Sequence, residues 1–181
     1  MRPQRFSLKP FPGEDAPGGV TIGGTIARTT GLLSVRFDLR GNLRAVSIPP
    51  RSGPAQRRDR LWEESCFELF AGTQESEGYL ECNLSPAGHW NAYRFARYRE
   101  GMREEKSVPS LPFRLWSGPN ALRISIDLTI GRIFPPEETL RVGVAAVLRD
   151  TAGGLSHWAL RHPRATPDFH DRDGFSLTLP P

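Results

Sequence analysis

The sequence predicts an all-β chain: an antiparallel β-sandwich of the jelly-roll or immunoglobulin-like kind, with about ten to twelve short strands and little helix. Three observations carry this. Residues 32–40 and 121–129 alternate strictly, with Leu33, Val35, Phe37 and Leu39, then Leu122, Ile124, Ile126 and Leu128, separated by polar or charged residues. Such a period of two lays one face on a core and the other in water. Turn signals recur at short intervals, supplied by 18 Gly and 17 Pro, and no window sustains a helical period.

Taken in order, residues 2–10 read as an edge strand that ends in a Pro-Gly stretch at 10–19. Residues 20–28 and 32–40 form a hairpin, and Gly41-Asn42 leads into a further strand at 43–48. The text PPRSGPAQRRDR, residues 49–60, has no period and reads as a solvated loop or a mobile rim over a binding site. Strands follow at 61–71, 78–85 and 89–99, then a charged loop at 102–112 and a hairpin of 112–117 with 121–129. Phe134-Pro135-Pro136 marks a corner. The strand at 141–149 carries Val142, Val144, Ala146 and Leu148 inward and reverses into 155–160. A Pro-containing excursion, RHPRATPDFHDRDG, precedes the closing strand at 175–179.

The chain of 181 residues is expected to be one domain, residues 1–181. Its formal charge of +4 comes from Arg spread among acids rather than from a basic block, which argues against a nucleic-acid partner. No window is apolar enough to span a membrane, and the N-terminus lacks the apolar core of a secretory signal, so the expected location is the cytoplasm. Cys66 and Cys82 have opposite relationships to the apolar positions of their strands and are expected to be reduced, partly buried thiols.

The stretch from Arg60 to Met102 holds two of the four Trp, all three Tyr and both Cys. If 61–71 is one regular strand, Trp62, Glu64, Cys66 and Glu68 share a face opposite Phe67 and Leu69. Glu81 and Asn83 share a face with Tyr79. A flat aromatic surface beside fixed donors and acceptors suits the C–H faces and hydroxyls of a sugar. The same residues allow a structural reading, in which Trp62 caps the core and Glu68 pairs with Arg94 across strands.

The segments LWEESCFELF, YLECNLSPAGHWNAYRFARYREGM and SHWALRHPRATPDFHDRDGFSLTL resemble bacterial DOMON-like proteins related to family 9 carbohydrate-binding modules. The resemblance runs from about Arg60 to the C-terminus and implies a β-sandwich holding a sugar between two Trp rings, with a Glu and an Arg among the polar contacts. Trp62 and Glu68 match the family's spacing of Trp and Glu on one strand. By the same resemblance Arg94 matches the Arg and Trp158 the second ring. No counterpart of the family's calcium-binding segment stands out.

Three further chemistries bear on these residues. His157, His162, Asp168, His170 and Asp171 could be metal ligands, members of a ligand-binding loop, or a structural set in which Asp168 caps amides and His170 bonds a carbonyl. Their spacing lacks a tight His or Cys motif, so no metal is expected. The wider DOMON group binds haem through Met with His or Lys, but Met102 is the only internal Met and no haem is expected. Catalysis is not expected either, because Glu64 and Glu68 on one strand would stand about 13 Å apart. The sequence therefore points to a non-catalytic domain that binds a carbohydrate or small polyol through Trp62, Glu68, Arg94, Trp158, Glu81, Asn83, His162 and His170. The alternatives are a structural or protein-interaction domain without a small ligand, and a haem-binding domain.

Overall fold

The structure, a computed structural model, describes residues 2–51 and 53–181. Thirteen strands among the described residues form two antiparallel sheets. The first sheet has the order β1 (Gln4–Ser7), β3 (Thr21–Thr29), β4 (Leu32–Arg40), β10 (Ala121–Thr129), β9 (Phe113–Gly118). The second runs β2 (Lys9–Pro10), β12 (Leu155–Ala159), β11 (Leu140–Arg149), β5 (Cys66–Thr73), β6 (Tyr79–Leu84), β7 (Trp90–Phe95), β8 (Arg103–Glu104), with β13 (Leu177–Leu179) also on β11.

The alternating strands behave as their pattern dictates. In the β4–β10 ladder Leu39 faces Leu122, Phe37 faces Ile124, Val35 faces Ile126 and Leu33 faces Leu128, and all eight are buried. Their polar neighbours remain on the outer face, where Arg123 and Arg36 both pair with Asp38. The inner face opposite is built by Phe67, Leu69, Ala71, Leu80, Cys82, Leu84, Val142, Val144, Ala146 and Leu148, which join the same core.

The second sheet departs from this pattern. Every residue of β5 and β6 is buried, so both faces are covered. On the outer face Phe70, Tyr79, Tyr93, Phe95 and Phe175 form a second apolar cluster, with Trp62 and Phe169 packed against it. Gly143, opposite Phe70, makes room for it: a Cβ there would meet the Phe175 ring at 2.8 Å. The segment 161–174, read as an excursion, is thus the lid of this second layer.

Several element expectations need correction. Residues 43–48 are not a strand: Asn42 caps a 3-10 turn at Leu43–Ala45, and a single bridge joins Val46 to Asp150. Residues 61–65 do not extend β5, because Leu61–Glu63 is a 3-10 turn entered through Arg60 in the left-handed region at φ 59°. The 102–112 loop contains the short strand β8. The described residues of the 49–60 loop are mostly exposed, as expected, and Arg57 ties it to β7: its guanidinium lies over the Trp90 ring at 4.5 Å and donates to Asn91 Oδ1 at 2.7 Å. Both cysteines are free and fully buried rather than partly so, Cys82 in the main core and Cys66 outside it.

Candidate functional site

The outer face of β5, β6 and β7 carries the polar residues that the inner face excludes. Alternation turns Cys66, Glu68 and Phe70 of β5 outward, with Tyr79, Glu81 and Asn83 of β6 and Asn91, Tyr93 and Phe95 of β7. Glu68 lies opposite Asn83, and Glu81 lies between Phe70 and Tyr93. Above them opens a cleft of about 490 Å³. Glu68, Glu81, Phe95 and Val147 form its floor, with Trp62, Arg99, His157 and Phe169 among its walls.

The two floor carboxyls are both buried, at 3% exposure for Glu68 and 5% for Glu81. Glu81 Oε1 accepts a 2.7 Å hydrogen bond from Asn83 Nδ2, and its other oxygen lies 3.8 Å from His170 Nε2. Among the described residues no hydrogen bond or ion pair reaches the Glu68 carboxyl. Burial, then the nearby Glu81 charge, pushes Glu68 well above the usual carboxylate range. Burial raises Glu81 to about 7, against the opposing effects of Asn83 and Arg99. Desolvation disfavours a charge that no partner compensates.

His170 is held by the second layer. Its Nδ1 lies 2.8 Å from the Tyr79 hydroxyl, whose oxygen also accepts from the Arg99 backbone N–H at 3.2 Å. Assigning the Tyr79 hydroxyl proton to the bond with Nδ1 leaves the ring proton on Nε2, facing Glu81. Burial, with Arg99, lowers His170 to about 4, so it is neutral over the ordinary pH range. Asp168 accepts from Tyr98 Oη at 2.6 Å, Arg99 Nη2 at 3.0 Å and the His170 backbone N–H at 3.0 Å. Burial pushes its carboxyl up, but the Tyr98 and Arg99 contacts outweigh this and hold it low. Arg99 is itself in the left-handed region at φ 55°, one of only two non-Gly residues so placed among the described residues, the other being Arg60. Arg99 lines the cleft and Arg60 enters the turn that carries Trp62 to it, and tertiary contacts must hold both against steric cost.

The structure brings Trp62, Glu68, Glu81 and His170 to one cleft, with Asn83 behind Glu81. Trp62 arrives by a different route from the one expected: its turn folds over the sheet and sets the ring 5.9 Å from Tyr93, edge to face. Arg94, Trp158 and His162 are elsewhere. Arg94 shares the inner face with Trp90 and Ala92, sits opposite Leu80, and lays its guanidinium over Phe134 at 5.4 Å. Trp158 is 2% exposed in the main core, its Nε1 donating to Ser156 Oγ at 2.9 Å. His162 Nε2 is 2.9 Å from the Lys9 carbonyl. The Glu68–Arg94 pair of the structural reading is therefore absent, since the two residues lie on opposite faces.

Sequence reasoning missed Arg99 and Phe169, and weighed His157 only as a member of the His/Asp set. His157 is one residue from Trp158, and the alternation of β12 would have assigned it outward once Trp158 was assigned to the core. It is held by Glu14, whose Oε2 accepts from the His157 backbone N–H at 2.6 Å. Arg99 and Phe169 lie outside strands, where no period applies. The five residues of the His/Asp set take separate partners: Glu14, the Lys9 carbonyl, Arg99, Tyr79 and, for Asp171, Arg164. No group of three or more His, Cys, Asp or Glu placed to hold a metal occurs among the described residues.

A two-sheet antiparallel sandwich with a cleft on the outer face of one sheet is the class of protein these observations define. No family model and no curated protein matches the chain. Solved structures do share its fold. A protein of Bacteroides uniformis ATCC 8492, provisionally described as carbohydrate-binding, superposes with a TM-score of 0.69 at 16% identity, covering 98% of this chain and 86% of its own. A family 9 carbohydrate-binding module from Caldicellulosiruptor kristjanssonii in complex with cellotriose gives 0.58 at 6% identity, over 90% of this chain and 75% of that one. The glucose complex of a family 9 module from the same organism gives 0.55 at 6% identity, over 83% and 71%.

Proposed function

We propose that the protein is a non-catalytic binding domain whose outer-face cleft takes a carbohydrate or small polyol. The observation that carries this is the coincidence, in one cleft of about 490 Å³, of aromatic walls, Trp62 and Phe169, with buried hydrogen-bonding groups on the floor. That volume falls within the range of small-molecule sites, and the mixture suits a ligand with apolar C–H faces and many hydroxyls. The shared fold with modules complexed with cellotriose and glucose supports the reading.

The Glu68–Glu81 pair favours one other reading, glycoside hydrolysis, because both carboxyls are raised toward neutrality. A glycosidase needs its two carboxyls flanking the scissile bond, and the two readings part on whether a bound saccharide is recovered intact.

A thermal-shift screen of mono- and disaccharides, followed by titration calorimetry on any hit, tests the proposal. A ligand that binds the folded chain raises its melting temperature by mass action. Stabilisation by at least one saccharide, with the saccharide recovered intact, is expected. Release of a hydrolysed product would transfer the site to the enzyme reading, and the absence of any shift across the panel would remove the binding one.

A further inference from the structure

The cleft floor holds an electrostatic imbalance. Glu68 is almost completely buried, lines the cleft, and has no hydrogen bond or ion pair with any described residue. Glu81 has one neutral donor, Asn83, and a neutral imidazole at 3.8 Å. Arg99 is the one Lys or Arg lining the cleft; its charge acts on both carboxyls, but its guanidinium is paired with Asp168 at 3.0 Å and bonds neither of them. The remaining titratable groups around the floor add no compensating cation. Glu63 is acidic and engaged with Arg60, His157 is tied to Glu14, and the Cys66 thiol beneath is held up by burial. Buried carboxyls are ordinarily paired, and here the partner is missing.

We propose, resting on the reading of the cleft as a sugar site, that its ligand is an amino sugar whose protonated amine seats between Glu68 and Glu81. An ammonium supplies the counter-charge that the fold withholds and presents three donors, enough for Glu68 and for the free oxygen of Glu81. The Trp62 and Phe169 rings lining the same cleft offer cation-attracting faces beside it. A neutral hydroxyl in that position could donate one hydrogen bond but would bring no charge to favour the ionised carboxyls. Binding and ionisation are then linked: the cation drives protons off the two carboxyls, so affinity rises with pH for as long as the amine stays protonated.

Titration calorimetry with D-glucosamine, N-acetyl-D-glucosamine and D-glucose tests this on the intact chain. D-glucosamine is expected to bind about tenfold more tightly than the other two, the scale of one charge-assisted hydrogen bond. Its preference should grow between about pH 5 and about pH 7, where a free amine is still largely protonated. Glu68→Gln should abolish the preference for D-glucosamine over D-glucose, read as the ratio of the two affinities in the variant, with melting curves confirming the fold. Should that variant fail to fold, the wild-type ratio decides: a glucosamine preference that rises with pH supports the proposal, and a flat or falling one overturns it. Equal binding of D-glucose and D-glucosamine would overturn the amine while leaving the sugar reading intact. No binding by any of the three would overturn both.

Discussion

Glu68 stands diagonally across the β5–β6 ladder from Glu81, each offset by two residues from direct register, so two buried carboxyls share one sheet face without a cation between them. Diagonal neighbours lie roughly 7–8 Å apart at Cα, within reach of each other's field. The site's chemistry follows from this offset.

Stability should fall as pH rises from 6.5 to 8. A carboxyl whose folded pKa is raised binds its proton more tightly folded than unfolded, so its contribution is complete below the ordinary carboxylate range and is lost as pH climbs through the folded value, about 7 for Glu81. From the reference of 4.5 the full loss for this group is on the order of 3 kcal/mol, most of it below pH 6.5, which leaves about 1 kcal/mol between pH 6.5 and 8. His170, lowered to about 4, works in the opposite sense, costing stability as pH falls below its ordinary range. The carboxyl effect is therefore unmasked above pH 6.5. Urea melts of wild type and Glu81→Gln at the two pH values check this; the variant should show the smaller difference.

Asp168→Asn should loosen the lid segment. The carboxylate accepts from Tyr98, Arg99 and the His170 backbone, and the amide can replace only part of that set. A loss of about 1–2 kcal/mol in stability is expected, along with weaker ligand binding, because Arg99, Phe169 and His170 all line the cleft. Hydrogen exchange of the 161–174 amides would register the loosening directly.

Gly143→Ala should destabilise by about 1–3 kcal/mol through overpacking, since the added methyl meets the Phe175 ring of the second layer. Ligand affinity should fall with it if the lid is displaced. Denaturation midpoints and a binding isotherm on the same sample separate the two effects.

Arg28 fastens the sandwich at a corner. Its guanidinium is buried and donates to the carbonyls of Glu138, Pro136, Pro135 and Leu179. Arg28→Met should cost about 2–4 kcal/mol by leaving those acceptors unpaired, and Arg28→Lys should recover only part because a point ammonium cannot reproduce the fork. Urea midpoints at unchanged slope provide the reading.

The main core was legible because β4, β10 and the inner faces of β5, β6 and β11 obey a two-residue period, and a period is a property of sequence. The site was half legible for the same reason. Glu68, Glu81 and Asn83 follow from alternation within their strands, whereas Trp62 reaches them only because Arg60 turns the chain over. Arg94 and Trp158 show the limit of parity: it separates two faces of a strand without saying which face carries the ligand. In β7 and β12 the aromatic set Trp90 and Trp158 belongs to the core, and the cleft takes the opposite residues, Phe95 and His157. The second apolar layer was invisible because its cover, residues 161–174, has no regular structure beyond one 3-10 turn at Arg172–Gly174.

The most direct test of the cleft is tryptophan fluorescence under saccharide titration in three proteins: wild type, Trp62→Ala and Trp158→Phe. Trp62 lines the cleft and Trp158 is sealed in the core. The account predicts a saturable change in wild type that persists in Trp158→Phe, despite its lower stability, and vanishes in Trp62→Ala together with calorimetric binding. A response that survives Trp62→Ala and disappears in Trp158→Phe would contradict it.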